Sequence, residues 1–451
     1  MKREFWTSRT GFVLSAAGSA VGLVNIWRFP YVVSENGGIA FIAVYLLFLL
    51  LIGFPVLISE VLIGRTAGHG PARAFKELGG GRSWQRIGRG ITATGFIVSS
   101  FYAVVAGWIL GYLVEALKGG LSGIETVGAA EALFNERIGS PFWVIGYQSL
   151  FMLLAVIVLF GGVRRGIEFS SKLLLPILFV LLIVLAIRGV TLAGGEGGLI
   201  SLLSPNWSAL TPMAILTALG HAFFTLSLGQ GTMMTYGSYL SLKENLPRTC
   251  APVVGFDTLI SLIAAVAVLS ILAATSESSV SGPGLLFYAL PAAFVHIPWG
   301  GTFAILFFAL VLMAALTSQV SAMEPLINAL VQEKRWRRPL AVLTVGGGAL
   351  LLGIPSALSF NLLKGSTLFG KTFFDLVSFF ATDVLIPIGG LAAVLFVGWA
   401  WGVRKALFQI FGDSSVMNQK QRLLYLYLKT CVCYIAPILI AVVLISNLRL
   451  F

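Results

Sequence analysis

Gly18-Ser-Ala-Val-Gly-Leu-Val-Asn25-Ile-Trp-Arg28-Phe-Pro30 lies inside a run that is otherwise apolar enough to cross a bilayer. Two glycines, a side-chain amide and a guanidinium are poor company for lipid. A helix carrying them is expected to open there, freeing backbone carbonyls and amides to hold a ligand. Membrane proteins tolerate such a break only where the backbone is buried in protein or lines a cavity. The stretch therefore predicts an all-α membrane protein and marks the first candidate for its working site.

The rest of the chain agrees with a membrane protein. Its 451 residues are 57% hydrophobic and only 11% charged, with a mean hydropathy of +0.94. That excludes a soluble globular domain. The pattern predicts eleven spans, at 10–35, 39–64, 88–117, 142–161, 167–188, 211–240, 249–275, 302–332, 339–356, 373–402 and 423–448. Each apolar run is close to the roughly 20 residues that cross a bilayer. The first run continues past any signal-peptide length and contains Arg28, so it reads as an uncleaved span. Cys250, Cys431 and Cys433 have neither zinc nor disulfide spacing.

A net charge of +12 does not point to nucleic acid, because the basic residues cluster in alternate loops. One side carries Lys2, Arg3 and Arg9, then Arg65 to Arg89, Arg164 to Lys172, Lys243 and Arg248, Lys334 to Arg338, and Arg404 to Arg422. The other has only Lys118, Arg137, Arg188, Lys364, Lys371 and Arg449. The positive-inside rule makes the first side cytoplasmic. The N-terminus is then inside and, with eleven spans, the C-terminus outside. A plasma membrane location follows, a bacterial inner membrane in particular. Two outer loops, around 120–138 and 280–297, are long enough for short helices; a lid and a plain loop are both open readings there.

A second break falls in the sixth predicted span, at Phe223-Phe-Thr225-Leu-Ser227-Leu-Gly229-Gln230-Gly231. Gly18 and Gly229 are 211 positions apart, as are Pro176 and Pro387. That offset fits a five-plus-five inverted repeat, each half led by an interrupted helix. The domain layout is then 1–9 as a cytoplasmic N-terminal segment, 10–188 as the first repeat and 189–210 as an extracellular connection. The second repeat takes 211–402, a cytoplasmic linker 403–422, and the eleventh helix and tail 423–451. A lone Gly-x-Gly usually means close helix packing. Two clusters that also carry polar groups and lead a repeat favour a binding site instead.

The physics of such a site is simple. Half-helix N-termini favour a carboxylate, and half-helix C-termini and free carbonyls favour cations. Sodium is a hard cation that prefers oxygen ligands. The chain offers carbonyls near Gly18, Ala20 and Val21, the Asn25 amide oxygen, and the hydroxyls of Thr225, Ser227, Thr317 and Ser318. Asp257 falls inside the seventh span, in Gly-Phe-Asp257-Thr-Leu-Ile-Ser261. A mid-helix carboxylate costs about 2.5–3.5 kcal/mol on insertion scales, so a functional partner such as sodium or a proton is the default reading. Glu60, Glu324, Asp375 and Asp383 lie nearer span ends, where solvation competes. Arg28 and Asp375 are either a gate pair above a ligand or two solvated groups. His221 sits one turn before Thr225; a lone histidine in an apolar helix is more often structural than a ligand.

These motifs resemble the neurotransmitter:sodium symporter family, and its bacterial eleven-helix amino acid transporter subgroup in particular. The resemblance rests on Asn25-Ile-Trp-Arg-Phe-Pro-Tyr31 with Glu35-Asn-Gly-Gly38, on Gly53-Phe-Pro55 with Glu60, on Phe223-Phe-Thr-Leu-Ser-Leu-Gly229, and on Leu316-Thr-Ser318 ahead of Glu324-Pro325. It implies a first sodium site at Ala20, Asn25, Thr225 and Asp257, with the substrate carboxylate as a further ligand. It implies a second at Gly18, Val21, Ala314, Thr317 and Ser318. The implied substrate pocket comprises Ala20, Val24, Val98, Tyr102, Phe224, Thr225, Ser227, Gln230, Ser318 and Ala322, with Tyr102 on the carboxylate. Arg28 and Asp375 match the outer gate, and Arg3 and Trp6 the inner gate. Gly166 and Pro176 resemble the motif at which the fifth helix unwinds.

Several positions depart from the family pattern. Val24 replaces a glycine beside Asn25, Gln230 replaces an aromatic or Met, and Ala322 is smaller than the usual aliphatic. Gln332 stands where an inner-gate Asp is expected, with Glu333 as a substitute. Asp257 replaces the more common Asn. Animal members bind chloride nearby, at positions equivalent to Tyr45, His221 and Ser261, and a fixed carboxylate at Asp257 supplies that negative charge itself.

The expected function is a sodium-coupled symporter of neutral or hydrophobic amino acids, working by alternating access and independent of chloride. Its partners are sodium ions, a small amino acid and the lipid bilayer. Alternatives are the same fold with another coupling ion or a small amine substrate, and a transport-silent membrane receptor or assembly factor. An enzyme is not expected, since no metal cluster, nucleophile–base pair or phosphate-cradling P-loop is evident.

Overall fold

In a computed structural model, residues 4–275, 284–413 and 417–450 are described. Arg3, one half of the expected inner gate, and positions 280–283 of the second outer loop lie outside them. Helices α1 (Arg9–Ala20) and α2 (Val24–Glu35) form one crossing bent by 59° at residues 21–23. They are followed by α3 (Ile39–Ala67), α4 (Pro71–Leu117), α5 (Val127–Gly139), α6 (Pro141–Phe160), α7 (Gly162–Thr191) and α8 (Glu196–Leu203). The second half holds α9 (Pro212–Phe224), α10 (Thr232–Ser238), α11 (Leu246–Thr275), α12 (Leu285–Val295), α13 (Gly300–Glu333), α14 (Arg338–Leu358) and α15 (Phe373–Ala400). Helices α16 (Val403–Phe411) and α17 (Gln419–Leu448) complete the chain.

Nine of these helices are long and apolar enough to cross a membrane, and the bent pair α1/α2 makes a tenth. α9 and α10 are each too short alone and succeed one another across the gap 225–231, so the sixth predicted span is present as two halves. The five-plus-five architecture is therefore led in each half by a broken helix.

The ends follow local chemistry. The Ser8 hydroxyl accepts the Gly11 amide at 3.1 Å, and Thr211 likewise accepts Ala214 at 3.1 Å, so hydroxyl caps start both leading helices. The third crossing extends well below the expected 88, because Arg73 to Arg89 can run along a polar surface as helix; a kink at Gly79 (φ +92°) marks the turn into it. Both outer loops hold helices, α5 and α12, which meet where Phe134 stacks on Phe287 with centroids 4.8 Å apart. Two short helices were not expected: α8 within the connection 189–210 and α16 within the linker 403–422.

α1 is packed among α7, α11 and α13, while α10 lies along α3. The α10–α3 approach depends on Gly64 and Gly237, where a side chain would run into backbone of the opposite helix. This arrangement places both breaks at the centre of the bundle.

Candidate functional site

The first break begins three residues after Gly18, which itself remains in α1. Its cause is the Asn25 side chain. The Gly22 amide donates to Asn25 Oδ1 at 2.9 Å, a bond that a continuous helix would direct to the Gly18 carbonyl. The second break needs left-handed backbone at Ser227 (φ +52°), Gly229 (φ +77°) and Gly231 (φ +86°). Two of these are glycines, which adopt that conformation without strain. Glu60 of α3 fastens this loop, accepting the Gly229 amide at 2.6 Å.

The two breaks are stitched together. Ser227 Oγ donates to the Ser19 carbonyl at 2.7 Å, and Ser318 Oγ of α13 reaches the Ser19 and Val21 carbonyls at 3.3 and 3.4 Å. Behind them lies a buried polar cluster. Asn25 Nδ2 donates to Asp257 Oδ1 at 2.7 Å, to Ser261 Oγ at 2.8 Å and to Thr225 Oγ1 at 3.0 Å. Thr225 Oγ1 donates to Asp257 Oδ2 at 2.8 Å. Asn25, Thr225 and Asp257 thus meet as expected, with one difference: the Asn25 amide oxygen faces Gly22 and its nitrogen faces the carboxylate. A buried carboxylate demands donors, and the amide supplies one. Of the second expected set, Thr317 Oγ1 donates to the Ala314 carbonyl at 3.0 Å, and a β-carbon on Gly18 would stand 3.5 Å from Thr317 Cβ.

Between the breaks is a cavity of about 90 Å³. Ala20 and Val24 line it from the first break and Val98 and Tyr102 from α4. Phe224, Thr225, Ser227 and Gln230 line it from the second break, and Ser318 and Ala322 from α13. These are all ten of the expected pocket residues; Ser19, Gly22 and Leu23 complete the wall. Sequence reasoning missed these three because they contribute backbone or sit between the recognisable residues. The Tyr102 hydroxyl is buried without a hydrogen-bond partner. The cavity shares Val24, Tyr102, Phe224 and Gln230 with a vestibule of about 700 Å³, so it opens toward one face.

Residues 3–127 and 135–451 match the model of the sodium:neurotransmitter symporter family. The chain belongs to that family. A crystal structure of MhsT in complex with L-phenylalanine superimposes with a TM-score of 0.88 at 42% identity, covering 99% of this chain and 100% of that one. The sodium-dependent transporter YhdH of Bacillus subtilis (strain 168), described as uncharacterized, is 41% identical over 392 residues, 87% of each chain. The human sodium- and chloride-dependent GABA transporter 2 is 28% identical over 460 residues, 90% of this chain and 74% of that protein. The chain is a multi-pass, sodium-dependent membrane transporter of the sodium:neurotransmitter symporter family, not an enzyme.

For a symporter of this family, the state of each end matters. At the vestibule end, Arg28 and Asp375 both line the opening but are not joined. Asp375 instead closes a capping box with Thr372, whose hydroxyl donates to Asp375 Oδ2 at 2.7 Å. The carboxylate that interacts electrostatically with Arg28 is Asp383, aimed into the same vestibule from a π-helical segment, Phe379–Leu385. A widened turn rotates side chains that a regular helix would direct elsewhere, whereas the family resemblance pointed to Asp375.

The opposite end is shut. Trp6 is only 8% exposed, its indole donates to the Tyr236 carbonyl at 2.9 Å, and it packs edge-on against Tyr236 and Tyr239. Below it, Glu324 receives a bidentate pair from Arg338 at 2.9 and 2.8 Å and the Tyr239 hydroxyl at 2.6 Å. Gln332 Oε1 meets His69 Nδ1 at 2.8 Å, and Glu333 lies 3.5 Å from Arg89, so neither takes part in the Trp6 seal. The Gly166–Pro176 stretch is wound, with Gly162–Glu168 in π-helical form. The N-terminal segment straps it: Glu4 accepts the Val163 amide at 2.8 Å, and the Thr7 amide donates to Glu168 at 2.9 Å.

Of the expected chloride-site equivalents, Ser261 is spent on Asn25 and on the Asp257 carbonyl, at 2.8 and 2.9 Å. The Tyr45 hydroxyl and both His221 ring nitrogens are buried without a hydrogen-bond partner. His221 is held by ring packing on Phe29 and Tyr45, with centroids 5.2 and 5.4 Å apart.

Proposed function

We propose that the chain couples inward sodium movement to uptake of a neutral α-amino acid across a plasma membrane, a bacterial inner membrane in particular. Its N-terminus is cytoplasmic and its C-terminus outside, as the loop charges require. The repeats at 10–188 and 211–402 rock against each other around the central cavity, with 1–9 as the inner strap, 189–210 and 403–422 as connections, and 423–451 as the eleventh helix and tail. The single observation that carries this reading is the cavity between the two breaks, walled by every expected pocket residue and backed by the Asp257 cluster.

In this reading the first sodium is held by oxygens of Ala20, Asn25, Thr225 and Asp257 together with the substrate carboxylate, so neither ligand binds fully alone. The Asn25 amide turns its oxygen toward the ion as sodium arrives. The second sodium takes Gly18, Val21, Ala314, Thr317 and Ser318. Tyr102 donates to the carboxylate. Arg28 with Asp383 closes the outer side, and Trp6 with Arg3 the inner. Each net positive charge moved inward gains about 2.3 kcal/mol per 100 mV of membrane potential, which drives accumulation. Asp257 supplies the negative charge that makes chloride unnecessary.

The test is uptake of labelled amino acids into proteoliposomes. Uptake should require external sodium, fail in potassium, and persist when chloride is replaced by gluconate. Sodium-independent uptake would defeat the coupling assignment, and loss of uptake in gluconate the chloride-independence.

A further inference from the structure

Most polar side chains around the cavity are already engaged. Ser227 and Ser318 donate to the Ser19 carbonyl, and Thr225 donates to Asp257. Two are not. The Tyr102 hydroxyl is one. The other is the side-chain amide of Gln230, which is 7% exposed, lines both the cavity and the vestibule, and makes no hydrogen bond among the described residues.

Tyr102 and the backbone of Gln230 mark opposite ends of the cavity. A β-carbon on Gly22 would stand 3.6 Å from the Tyr102 hydroxyl, which places Tyr102 against the first break. A β-carbon on Gly95 would stand 2.7 Å from the Ala322 carbonyl oxygen and 3.0 Å from that of Gln230. Gly95 is seven residues before Tyr102 in α4, about 10 Å along a helix. An amino acid whose carboxylate meets Tyr102 therefore extends its side chain past Val98 toward Gln230 and the small Ala322.

We infer that Gln230 reads the substrate side chain, and that the transported class is neutral α-amino acids ending in a hydrogen-bonding group: a hydroxyl, a carboxamide or an indole N–H. The inference rests on the amino acid symport reading and narrows it. The amide offers both a donor and an acceptor, so it serves each of these groups. In the open state, water from the vestibule satisfies it. An apolar side chain would strip that water and return nothing, which a site with an unpaired polar group penalises strongly. Among the described residues no Lys, Arg, Asp or Glu lines the cavity, so a charged side chain would go unneutralised there.

The experiment is equilibrium binding to the purified full-length protein in sodium, with near-isosteric pairs: threonine against valine, tyrosine against phenylalanine, and glutamine against methionine. The hydrogen-bonding member of the pairs that fit should bind at least tenfold tighter, and Gln230→Met should erase or invert that ranking. Equal or tighter binding of the apolar members to the unaltered protein would overturn the proposal, and needs no variant to fold. An unchanged ranking in Q230M would overturn it as well. Absence of sodium-dependent binding for every amino acid tried would instead bring down the symport reading, and this one with it.

Discussion

Replacing Asp257 by Asn removes a buried charge while keeping the shape of the side chain. Its carboxylate accepts Asn25 Nδ2 at 2.7 Å and Thr225 Oγ1 at 2.8 Å. A cation held by oxygens of those same residues lies about 4 Å from the charge centre. At the effective dielectric of about 20 that suits such sites, this attraction amounts to about 4 kcal/mol. The new amide can still offer an oxygen, so part of the loss is recovered. Sodium affinity should fall by about 100- to 1,000-fold, roughly 3–4 kcal/mol. Without sodium the effect has the other sign, because an uncompensated buried carboxylate is costly. Thermal stability in potassium should therefore be maintained or raised in the variant, while the sodium-induced gain collapses. A ligand at 100 times its dissociation constant stabilises by about 2.7 kcal/mol, and at one dissociation constant by about 0.4.

The assay is a sodium titration of thermal unfolding, run in chloride and again in gluconate. The unaltered protein should respond identically to sodium in both anions. D257N should depend on chloride, because the Tyr45 hydroxyl, which interacts with Asp257, and the unpartnered His221 ring adjoin the space the charge has left. Chloride should return at least tenfold of the lost affinity. A sodium affinity within threefold of the original in both anions would remove Asp257 from the ion site. A chloride requirement in the unaltered protein would refute the argument that its carboxylate replaces an anion.

Two further outcomes follow from the ends of the pathway. Asp383→Asn should speed outward release of a bound amino acid about fivefold, the effect of about 1 kcal/mol from a partly solvated charge pair that closes over the ligand, whereas Asp375→Asn should leave release unchanged and weaken only the start of α15; isotope dissociation rates showing the reverse would restore Asp375 as the gate. Glu324→Gln takes the carboxylate from part-buried Arg338 and should lower unfolding stability by about 1.5–3 kcal/mol, while the double replacement of both residues by Met should regain most of it; equal losses in single and double variants would mean the pair is not acting as a unit.

Most of this site was legible because its residues announce themselves by chemistry out of place. Asn25 and Asp257 are polar groups in apolar runs, and Thr225 and Ser227 precede a glycine doublet, so both breaks could be read from the residues, whereas the pocket wall came from the family resemblance. What was not legible depends on backbone phase. The π-helical turn at Phe379–Leu385 brings Asp383 into the vestibule beside Asp375, and one added residue per turn leaves no trace in hydropathy. The orientation of the Asn25 amide was equally hidden, because it follows from which neighbours lack donors once the helix has opened.

Ser19 was hidden for a different reason, and it bears most on coupling. Its side chain only meets Ser321 Oγ, at 2.7 Å, but its carbonyl receives Ser227 from the second break and Ser318 from α13. Ser227 belongs to the expected substrate wall, and Ser318 to both that wall and the second sodium set. One freed carbonyl therefore ties together the two broken helices and the helix that completes both sites. If sodium pulls Ser318 Oγ away from the first break, the Ser19 carbonyl keeps Ser227 as its sole hydroxyl donor, and the pocket wall changes with it. Coupling of this kind would need no long pathway, because the proposed substrate wall and the proposed second sodium set share one acceptor.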